Sequence, residues 1–298
     1  MRIGIVVNPV AGGNRGAQVG AEVLSLLSKS EHAITDLSGA TVLEARSKIE
    51  AALEGKMVDA LVFVGGDGIA HLGTNLCAGK NILMAIIPAG TGNDAAAMLG
   101  MPLTNTSESV RLILEGLSAP KKIDAIKVSH GGKVTWALGS ASAGFDALAA
   151  ARANAISWPK GPMRYYVAML LELAKFKPIK YQSVIDGIPR DFEAMLCVVS
   201  NTGIYGGGML VVPGASVTDG SLDVLLVKKM SRLKFVTIFP RVYKGTHITD
   251  KDVEIFKATK ISISASGMPI YSDGEYVGQA PFEAEVVPGA LTMVAPAI

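Results

Sequence analysis

No stretch of the 298-residue sequence approaches the 18 or more uninterrupted apolar residues that a membrane-spanning helix requires. The sequence therefore excludes a protein that crosses a bilayer through helices. The apolar run at residues 3–7 is too short for a secretory signal and leads directly into Asn8-Pro9, so we expect a buried first strand there. Because 49% of the residues are hydrophobic, peripheral contact with a membrane surface stays open.

Cysteine is scarce as well. The two cysteines, Cys77 and Cys197, lie far apart in apolar surroundings and show no Cys-x-x-Cys or Cys/His spacing. This pattern excludes the common zinc motifs and predicts two free thiols in a reducing cytoplasm.

The sequence also lacks a large excess of positive charge. The 28 Lys and Arg residues are balanced by 26 Asp and Glu residues, and the net charge is +2. The basic residues are scattered and do not form a stripe with interleaved aromatic residues. We therefore expect no nucleic-acid partner.

The length of the chain predicts two domains with a boundary near residue 122. In residues 1–122, continuous apolar strands at 3–7, 60–64 and 82–87 alternate with helical patterns, as is typical of a parallel sheet covered on both faces. Residues 123–298 contain many short β-prone runs, which predict an antiparallel sandwich or barrel interrupted by a helix at 163–176. The last few residues of the chain are candidates for packing with the first domain.

Two glycine-rich turns follow apolar strands in the first domain, and both contain an acidic residue. They are Gly65-Gly66-Asp67-Gly68 and Gly90-Thr91-Gly92-Asn93-Asp94. Glycine leaves no side chain between the backbone N–H groups and an incoming anion, so such turns suit nucleotide phosphates. In an open α/β sheet, ligands bind beyond the carboxyl ends of the strands, where both turns would lie. Their acidic residues suit Mg²⁺ bridging the phosphates.

A third turn, Asn8-Pro9-x-Ala11-Gly12-Gly13, follows the first strand and could place backbone N–H groups and the Asn8 amide against a nucleotide. An ordinary strand-to-helix turn explains it equally well. The chain has neither the Gly-x-Gly-x-x-Gly fingerprint of dinucleotide-binding proteins nor the Gly-Lys-Ser/Thr of a Walker loop, so both of those nucleotide sites are excluded.

Five motifs in this order resemble the catalytic domain of the diacylglycerol kinase family of lipid kinases, which includes soluble bacterial enzymes and the sphingosine kinases. The resemblance runs nearly from end to end. The motifs are Val7-Asn8-Pro9, Gly65-Gly66-Asp67-Gly68, Pro88-x-Gly90-Thr91-Gly92-Asn93-Asp94, Asp219-Gly220-x-Leu222-Asp223 and Asp273-Gly274-Glu275.

The resemblance implies a Rossmann-like α/β domain, a β-sandwich domain, and ATP held between them, with the γ-phosphoryl group passed to a lipid hydroxyl, most simply that of diacylglycerol. It implies a protein at the cytoplasmic face of a membrane and leaves a homodimer open. Thr35 matches a nucleotide-contacting threonine, with Thr41 as the competing choice. The candidate nucleotide-binding residues are Asn8, Pro9, Gly12, Thr35, Gly65, Gly66, Asp67, Gly68, Thr91 and Asn93.

The remaining implied roles concern proton transfer and Mg²⁺. Glu275 matches a general base toward the acceptor hydroxyl, because a lipid alcohol ionises far above neutral pH and needs a positioned carboxylate to accept its proton. A surface turn before a strand explains the same tripeptide. The candidate metal-binding residues are Asp94, Asp124, Ser216, Asp219 and Ser221. A helix cap at Asp94, a domain-hinge carboxylate at Asp124 and a hairpin turn at Asp219 are the ordinary alternatives.

One segment departs from the family pattern. After Gly68 the family has a threonine and then an Asn-Glu pair, whereas this chain has Ile69-Ala70-His71-Leu72. Two other functions therefore stay open: a kinase of soluble substrates resembling NAD kinase, which shares the Gly-Gly-Asp-Gly turn, and a non-catalytic lipid- or nucleotide-binding module.

Overall fold

The chain folds into two structural units, described by a computed structural model over residues 1–158, 162–175 and 177–296. The first unit comprises Met1–Ile123 together with Gly289 and the described residues that follow it. The second unit comprises Asp124–Pro288.

The first unit is built on a parallel sheet with helices between its strands. Strands run in the order β2-β1-β3-β4, and residues Thr292 and Met293 continue the sheet beside β4, also in parallel. Every residue of β3 is buried, as its continuous apolar sequence predicts for a strand covered on both faces. The elements are β1 (Arg2–Val7), α1 (Ala11–Leu27), β2 (Ala33–Asp36), α2 (Val42–Glu54), β3 (Ala60–Gly65), α3 (Asp67–Cys77), β4 (Leu83–Pro88), α4 (Asp94–Met98) and α5 (Thr106–Gly116).

The second unit is a mainly antiparallel β structure with helices on one side. Its strands and helices are β5 (Lys121–His130), β6 (Lys133–Ala137), β7 (Ser140–Ser142), α6 (Phe145–Ala155), α7 (Pro162–Lys175), β8 (Ile179–Ile185), β9 (Ile188–Pro189), β10 (Phe192–Ser200), β11 (Ile204–Tyr205), β12 (Met209–Leu210), β13 (Leu222–Lys228), α8 (Arg232–Ile238), β14 (Val253–Ala258), β15 (Lys260–Ser264), β16 (Pro269–Ser272), β17 (Glu275–Gln279) and β18 (Phe282–Met293). Two 3-10 helices, Phe239–Lys244 and Thr246–Thr249, follow α8.

Strand β10 is central to this unit, since it pairs in antiparallel fashion with β7, β8 and β13. Alternate residues of β10 face two different cores. Cys197 and Val199 pack with β-sheet residues such as Ile261, whereas Val198 packs with residues such as Phe145 of α6 and Phe235 of α8. The predicted pairing of a parallel α/β domain with an antiparallel β-sandwich domain is thus confirmed.

The elements that were not predicted from the sequence include β2, α6 and α8. Strand β2 is four residues long and mostly exposed at the edge of its sheet, so it carries no apolar run. Helices α6 and α8 were not predicted either. The sequence of α6 is rich in alanine, and α8 spans only seven residues that include several β-prone types. The predicted helix at 163–176 corresponds to α7, except that residue 176 lies outside the described residues.

Both cysteines are buried free thiols, as expected. Burial raises the pKa of Cys77 to about 12 and also raises that of Cys197, which keeps both thiols protonated at neutral pH. Across the described ranges, the structure contains no helix with the length and hydropathy needed to cross a membrane.

Candidate active site

The three predicted turns of the first unit meet at the carboxyl edge of the parallel sheet. Strand register sets Val7 beside Val64 and Gly65 beside Pro88, so the chain leaves β1, β3 and β4 at one level. Two backbone hydrogen bonds join the turns: Asn8 N donates to Val64 O at 2.9 Å, and Ala89 N donates to Gly65 O at 2.8 Å. The sheet thus brings together the motifs that the sequence separates by up to 80 residues.

Glycine is required where these turns touch. A Cβ atom on Gly90 would lie 2.4 Å from the Cα of Gly66, too close for any real contact. Gly12 has a φ of +56°, and a Cβ atom there would lie 2.4 Å from Ala89 O. The three turns therefore pack backbone against backbone.

Asp67 and Asn93 tie the two acidic turns together with their side chains. The carboxylate of Asp67 accepts hydrogen bonds from Asn93 N at 2.9 Å and Ala95 N at 3.1 Å. Asn93 adopts the left-handed conformation with φ of 60°, and its amide both accepts from Gly90 N and donates to Gly90 O. Thr91 is exposed beside them. The structure brings these residues together, and it uses Asp67 and Asn93 to hold the loop.

Thr35 lies away from this edge. It pairs with Gly4 near the middle of β1, whereas the hydroxyl beside the end of β1 belongs to Ser38, whose Oγ accepts from Val7 N at 2.9 Å. The competing Thr41 caps α2, where its hydroxyl accepts from Glu44 N at 3.2 Å. The position of Ser38 beside Val7 could not be predicted from the sequence, because it depends on the register of β2, which was itself not predicted.

The segment that departs from the family pattern is apolar at its first position. Ile69 is buried, and its side chain leaves so little room that a Cβ atom on Gly65 would lie 2.7 Å from it. His71 is half-buried and lies within hydrogen-bonding distance of Asn75, with 3.1 Å between Nε2 and the amide nitrogen. Hence Ile69 contributes packing under the turn and offers no polar group there.

In the second unit, Asp273 holds the hairpin that presents Glu275. Its carboxylate accepts three backbone hydrogen bonds, from Leu138 N at 2.9 Å, Gly139 N at 2.8 Å and Ser140 N at 3.0 Å. Asp273 and Gly274 both have positive φ, of 49° and 83°, which turns the chain sharply between β16 and β17. Glu275 then begins β17 and is exposed, and its side chain makes no hydrogen bond or ion pair within the described residues.

Asn201 connects this hairpin support to Asp124. The fully buried Asn201 amide donates to Asp124 O at 3.0 Å and to Leu138 O at 3.1 Å. Asp124 is itself buried and accepts from Gly220 N at 2.8 Å. One hydrogen-bonded chain therefore runs from the Asp219 turn to the Glu275 hairpin. Sequence reasoning gave Asn201 no role, although a polar residue at the end of the apolar strand β10 was a signal.

A lysine ammonium group forms ion pairs at the Asp219 turn. Lys257 Nζ lies 2.8 Å from one carboxylate oxygen of Asp219 and 3.3 Å from a carboxylate oxygen of Asp223. The other Asp219 oxygen accepts from the Ser221 N–H and hydroxyl, and the Ser216 hydroxyl lies 3.2 Å from that of Thr218. Burial acts to raise the pKa of Asp219, but hydrogen bonds from Lys257 and Ser221 lower it overall.

These residues do not fit a divalent cation while Lys257 occupies the turn. Mg²⁺ requires oxygen ligands, and an adjacent ammonium group opposes its charge. In the part of the chain that the structure describes, no three His, Cys, Asp or Glu side chains form a metal-binding group. A metal-binding role for Ser216, Asp219, Ser221 and Asp124 stays a prediction, and Lys257 is the cation that contacts Asp219 in the structure.

An apolar cavity of about 60 Å³ lies beneath α8 in the second unit. Two buried polar atoms, Asp146 Oδ1 and His247 Nδ1, belong to lining residues and have no hydrogen-bond partner among the residues that the structure describes. Burial raises the pKa of Asp146 and lowers that of His247, so both groups favour their neutral forms. The glycine-rich segment 203–208 forms the β11–β12 hairpin, which contributes Tyr205 and Met209 to the lining.

Known protein families match most of the length of the chain. Residues 2–128 match the diacylglycerol kinase catalytic domain, and residues 139–295 match the YegS C-terminal NAD kinase beta sandwich-like domain. A diacylglycerol kinase of Mycobacterium tuberculosis is 32% identical over 296 residues, covering 99% of this chain and 95% of the relative. A diacylglycerol kinase of Bacillus subtilis is 27% identical and covers 95% of this chain and 92% of the relative.

The fold has a counterpart among solved structures. The crystal structure of a diacylglycerol kinase from Bacillus anthracis str. Sterne superposes with a TM-score of 0.73 at 24% identity, covering 99% of this chain and 97% of that one. Fold and sequence matches together define a two-domain lipid kinase. The chain belongs to the diacylglycerol kinase family, so the family expected from the five motifs is confirmed.

Proposed function

We propose that this lipid kinase transfers the γ-phosphoryl group of ATP to the free hydroxyl of a diacylglycerol. The observation that carries the proposal is the contact between the two glycine turns, at Gly66 and Gly90, beside the amino end of α3. The first-turn N–H groups of a helix lack intrahelical partners, and the helix dipole favours an anion there. Phosphate groups of ATP would be bound at Gly65–Gly68, with Asn8, Pro9, Gly12 and Thr91 around them.

Glu275 is the candidate general base. It stands at the start of β17 on a hairpin that Asp273 holds through three backbone N–H groups, and it has no partner of its own within the described ranges. An exposed carboxylate without a competing cation is free to accept the proton of an alcohol. The loss of such a base reduces turnover by roughly 10²-fold or more.

Asp67 and Asp94, beside the glycine turns, are oxygen donors of the kind that Mg²⁺ takes in ones and twos alongside phosphate and water. Bound together with ATP, magnesium would neutralise charge on the phosphates. The nucleotide would therefore arrive as its magnesium complex. We assign no Mg²⁺ to the Asp219 turn, because Lys257 occupies it.

The cavity under α8 supports a lipid acceptor. It is apolar apart from a few groups, and the side chains of Met169 and Met209 contribute to its lining. Its volume of about 60 Å³ is small beside the roughly 300–1,000 Å³ of ordinary ligand pockets, so an acyl chain enters only as lining side chains move. Flexible methionine side chains suit such adjustment. A protein that takes its substrate from a bilayer would work as a peripheral protein at the cytoplasmic membrane face.

The test is a kinase assay with the purified protein, labelled ATP and Mg²⁺, in which micelles present diacylglycerol, monoacylglycerol, ceramide, sphingosine or phosphatidylglycerol. We expect labelled phosphatidic acid, and loss of at least about 10²-fold in turnover with retained ATP binding for Glu275→Gln. Glu31→Gln is the matched control, since Glu31 is also an exposed glutamate.

Three other outcomes would each contradict part of the proposal. Phosphorylation of NAD without lipid product would indicate the soluble-substrate kinase, and ATP binding without turnover would indicate a binding module. Equal turnover of Glu275→Gln and Glu31→Gln would remove Glu275 from the role of base. The molar mass of the purified protein in solution, measured on the same preparation, distinguishes a monomer from a homodimer.

A further inference from the structure

Helix α8 and the 3-10 helix after it expose a row of apolar side chains. Leu233 is 77% exposed, Val236 is 44% exposed and Tyr243 is 41% exposed, and Pro240 is also exposed. Their spacing of three, four and three residues sets them along one side of a helical segment. We name these four residues the α8 stripe.

The other side of the same segment lines the apolar cavity. Phe235, Ile238, Phe239 and Val242 alternate with the stripe residues and contribute to the cavity wall. Phe235 also packs edge to face against Phe145 of α6. A single helical layer therefore separates the cavity from the exposed α8 stripe.

The charge of this segment differs from that of the rest of the chain. Residues 224–249 contain six Lys and Arg residues and no Asp or Glu, which leaves 22 basic and 26 acidic residues elsewhere. Lys228, Lys229 and Lys234 form ion pairs with carboxylates. Exposed basic residues stand at both ends of the stripe, Arg232 before Leu233 and Lys244 after Tyr243, and Lys244 forms no ion pair within the described residues.

We propose that the α8 stripe inserts into the interface of an anionic phospholipid bilayer, with Arg232 and Lys244 against its headgroups. An apolar helical face with flanking cations is the pattern of segments that lie in a membrane interface, where tyrosine is also favoured. Lys228, Lys229, Lys234 and Arg241 have carboxylate partners in the protein, whereas Lys244 has none within the described residues, so an anionic headgroup would complement Lys244. This inference rests on the proposed lipid acceptor, because it brings the cavity directly against the membrane that contains the substrate.

The test measures co-sedimentation with vesicles of phosphatidylcholine alone and of phosphatidylcholine with phosphatidylglycerol. We expect binding to the anionic vesicles, at least about tenfold weaker binding for Leu233→Glu, and a smaller, salt-dependent loss for Lys244→Gln. Leu43→Glu is the matched control, since Leu43 of α2 is also 77% exposed and gains the same charge. Circular dichroism establishes that each variant is folded.

A second measurement separates this inference from the proposed function. Activity is compared between long-chain diacylglycerol in vesicles and dihexanoylglycerol dispersed in buffer, and we expect the vesicle-to-dispersed ratio to fall for Leu233→Glu relative to Leu43→Glu. Equal vesicle binding by the two variants would overturn the membrane role of the stripe while leaving the kinase intact. So would a Leu233-dependent dimer that does not bind vesicles. Vesicle binding that depends on Leu233, without phosphorylation of either lipid, would support the stripe and refute the proposed function.

Discussion

Asp273 is expected to act as the clamp of the Glu275 hairpin, and its removal should lower both stability and turnover. Asp273→Ala leaves three backbone N–H groups, those of Leu138, Gly139 and Ser140, without their acceptor. A buried donor without a partner costs about 1–3 kcal/mol, and water reaches part of this half-buried turn, so we expect a total loss of about 2–4 kcal/mol. Alanine at a φ of 49° adds strain that aspartate tolerates.

A second aspartate provides the control. Asp186 has a φ of 48°, and one carboxylate oxygen accepts three hydrogen bonds, from the Thr259 N–H and hydroxyl and from Lys260 N. It lies in the β8–β9 hairpin, and β8 is four strands from β17 in the sheet order. Asp186→Ala should therefore unfold at a similarly lowered urea concentration and keep its turnover.

The assay combines urea unfolding with phosphatidic acid formation under conditions where each variant is folded. Asp273→Asn should lie between wild type and Asp273→Ala, because asparagine keeps one acceptor oxygen and tolerates positive φ. Unfolding of Asp273→Ala within about 0.5 kcal/mol of wild type, the usual range for surface substitutions, would refute the clamp. Equal loss of turnover in Asp186→Ala would show that the effect on catalysis is general and not specific to the hairpin.

Two further predictions concern charge. Because Lys257 contacts Asp219, the melting temperature of the wild type without ATP should not respond to Mg²⁺. The Lys257→Met variant should melt at a lower temperature, and its melting temperature should rise as Mg²⁺ is added. A Mg²⁺ response of the wild type that Asp219→Ala abolishes would instead support the metal-binding role of Asp219. Hydrogen bonds from Arg2 lower the pKa of Asp59 to about 2, so this group stabilises the fold above its ordinary pKa near 3.8, and that contribution is lost as the pH falls towards 2. The Arg2–Asp59 pair is largely exposed, so Asp59→Asn should lower the free energy of unfolding in urea by less than about 1 kcal/mol at pH 6, and by still less at pH 3. A loss of stability that grows on acidification would contradict the lowered pKa of Asp59.

The fold class could be predicted because the distribution of apolar and turn residues in each domain is typical of its fold. Continuous apolar runs such as that of β3 indicate a covered parallel sheet, and the glycine turns after β3 and β4 need no tertiary information to be recognised. Their meeting at Gly66 and Gly90 follows from parallel strands that end at one edge. The network from Asp124 through Asn201 to Asp273 could not be predicted, because it joins residues up to 149 positions apart through backbone atoms.

Residues whose position depends on strand register could not be placed from the sequence. Thr35 and Ser38 are separated by three positions in sequence, and only the pairing of β2 with β1 decides which hydroxyl reaches Val7. Lys257 gave no signal for a similar reason. It contacts Asp219 because β14 pairs with β13, which sets Asp223 opposite Lys257.

The division into two units has a spectroscopic consequence. The chain contains two tryptophans, Trp136 and Trp158, and both lie within Asp124–Pro288. Excitation at the tryptophan band therefore reports on the second unit, whereas far-ultraviolet circular dichroism reports on the helices of both. If the two signals change at different urea concentrations, the chain unfolds in more than one step, and each step can be assigned to its own unit without any label.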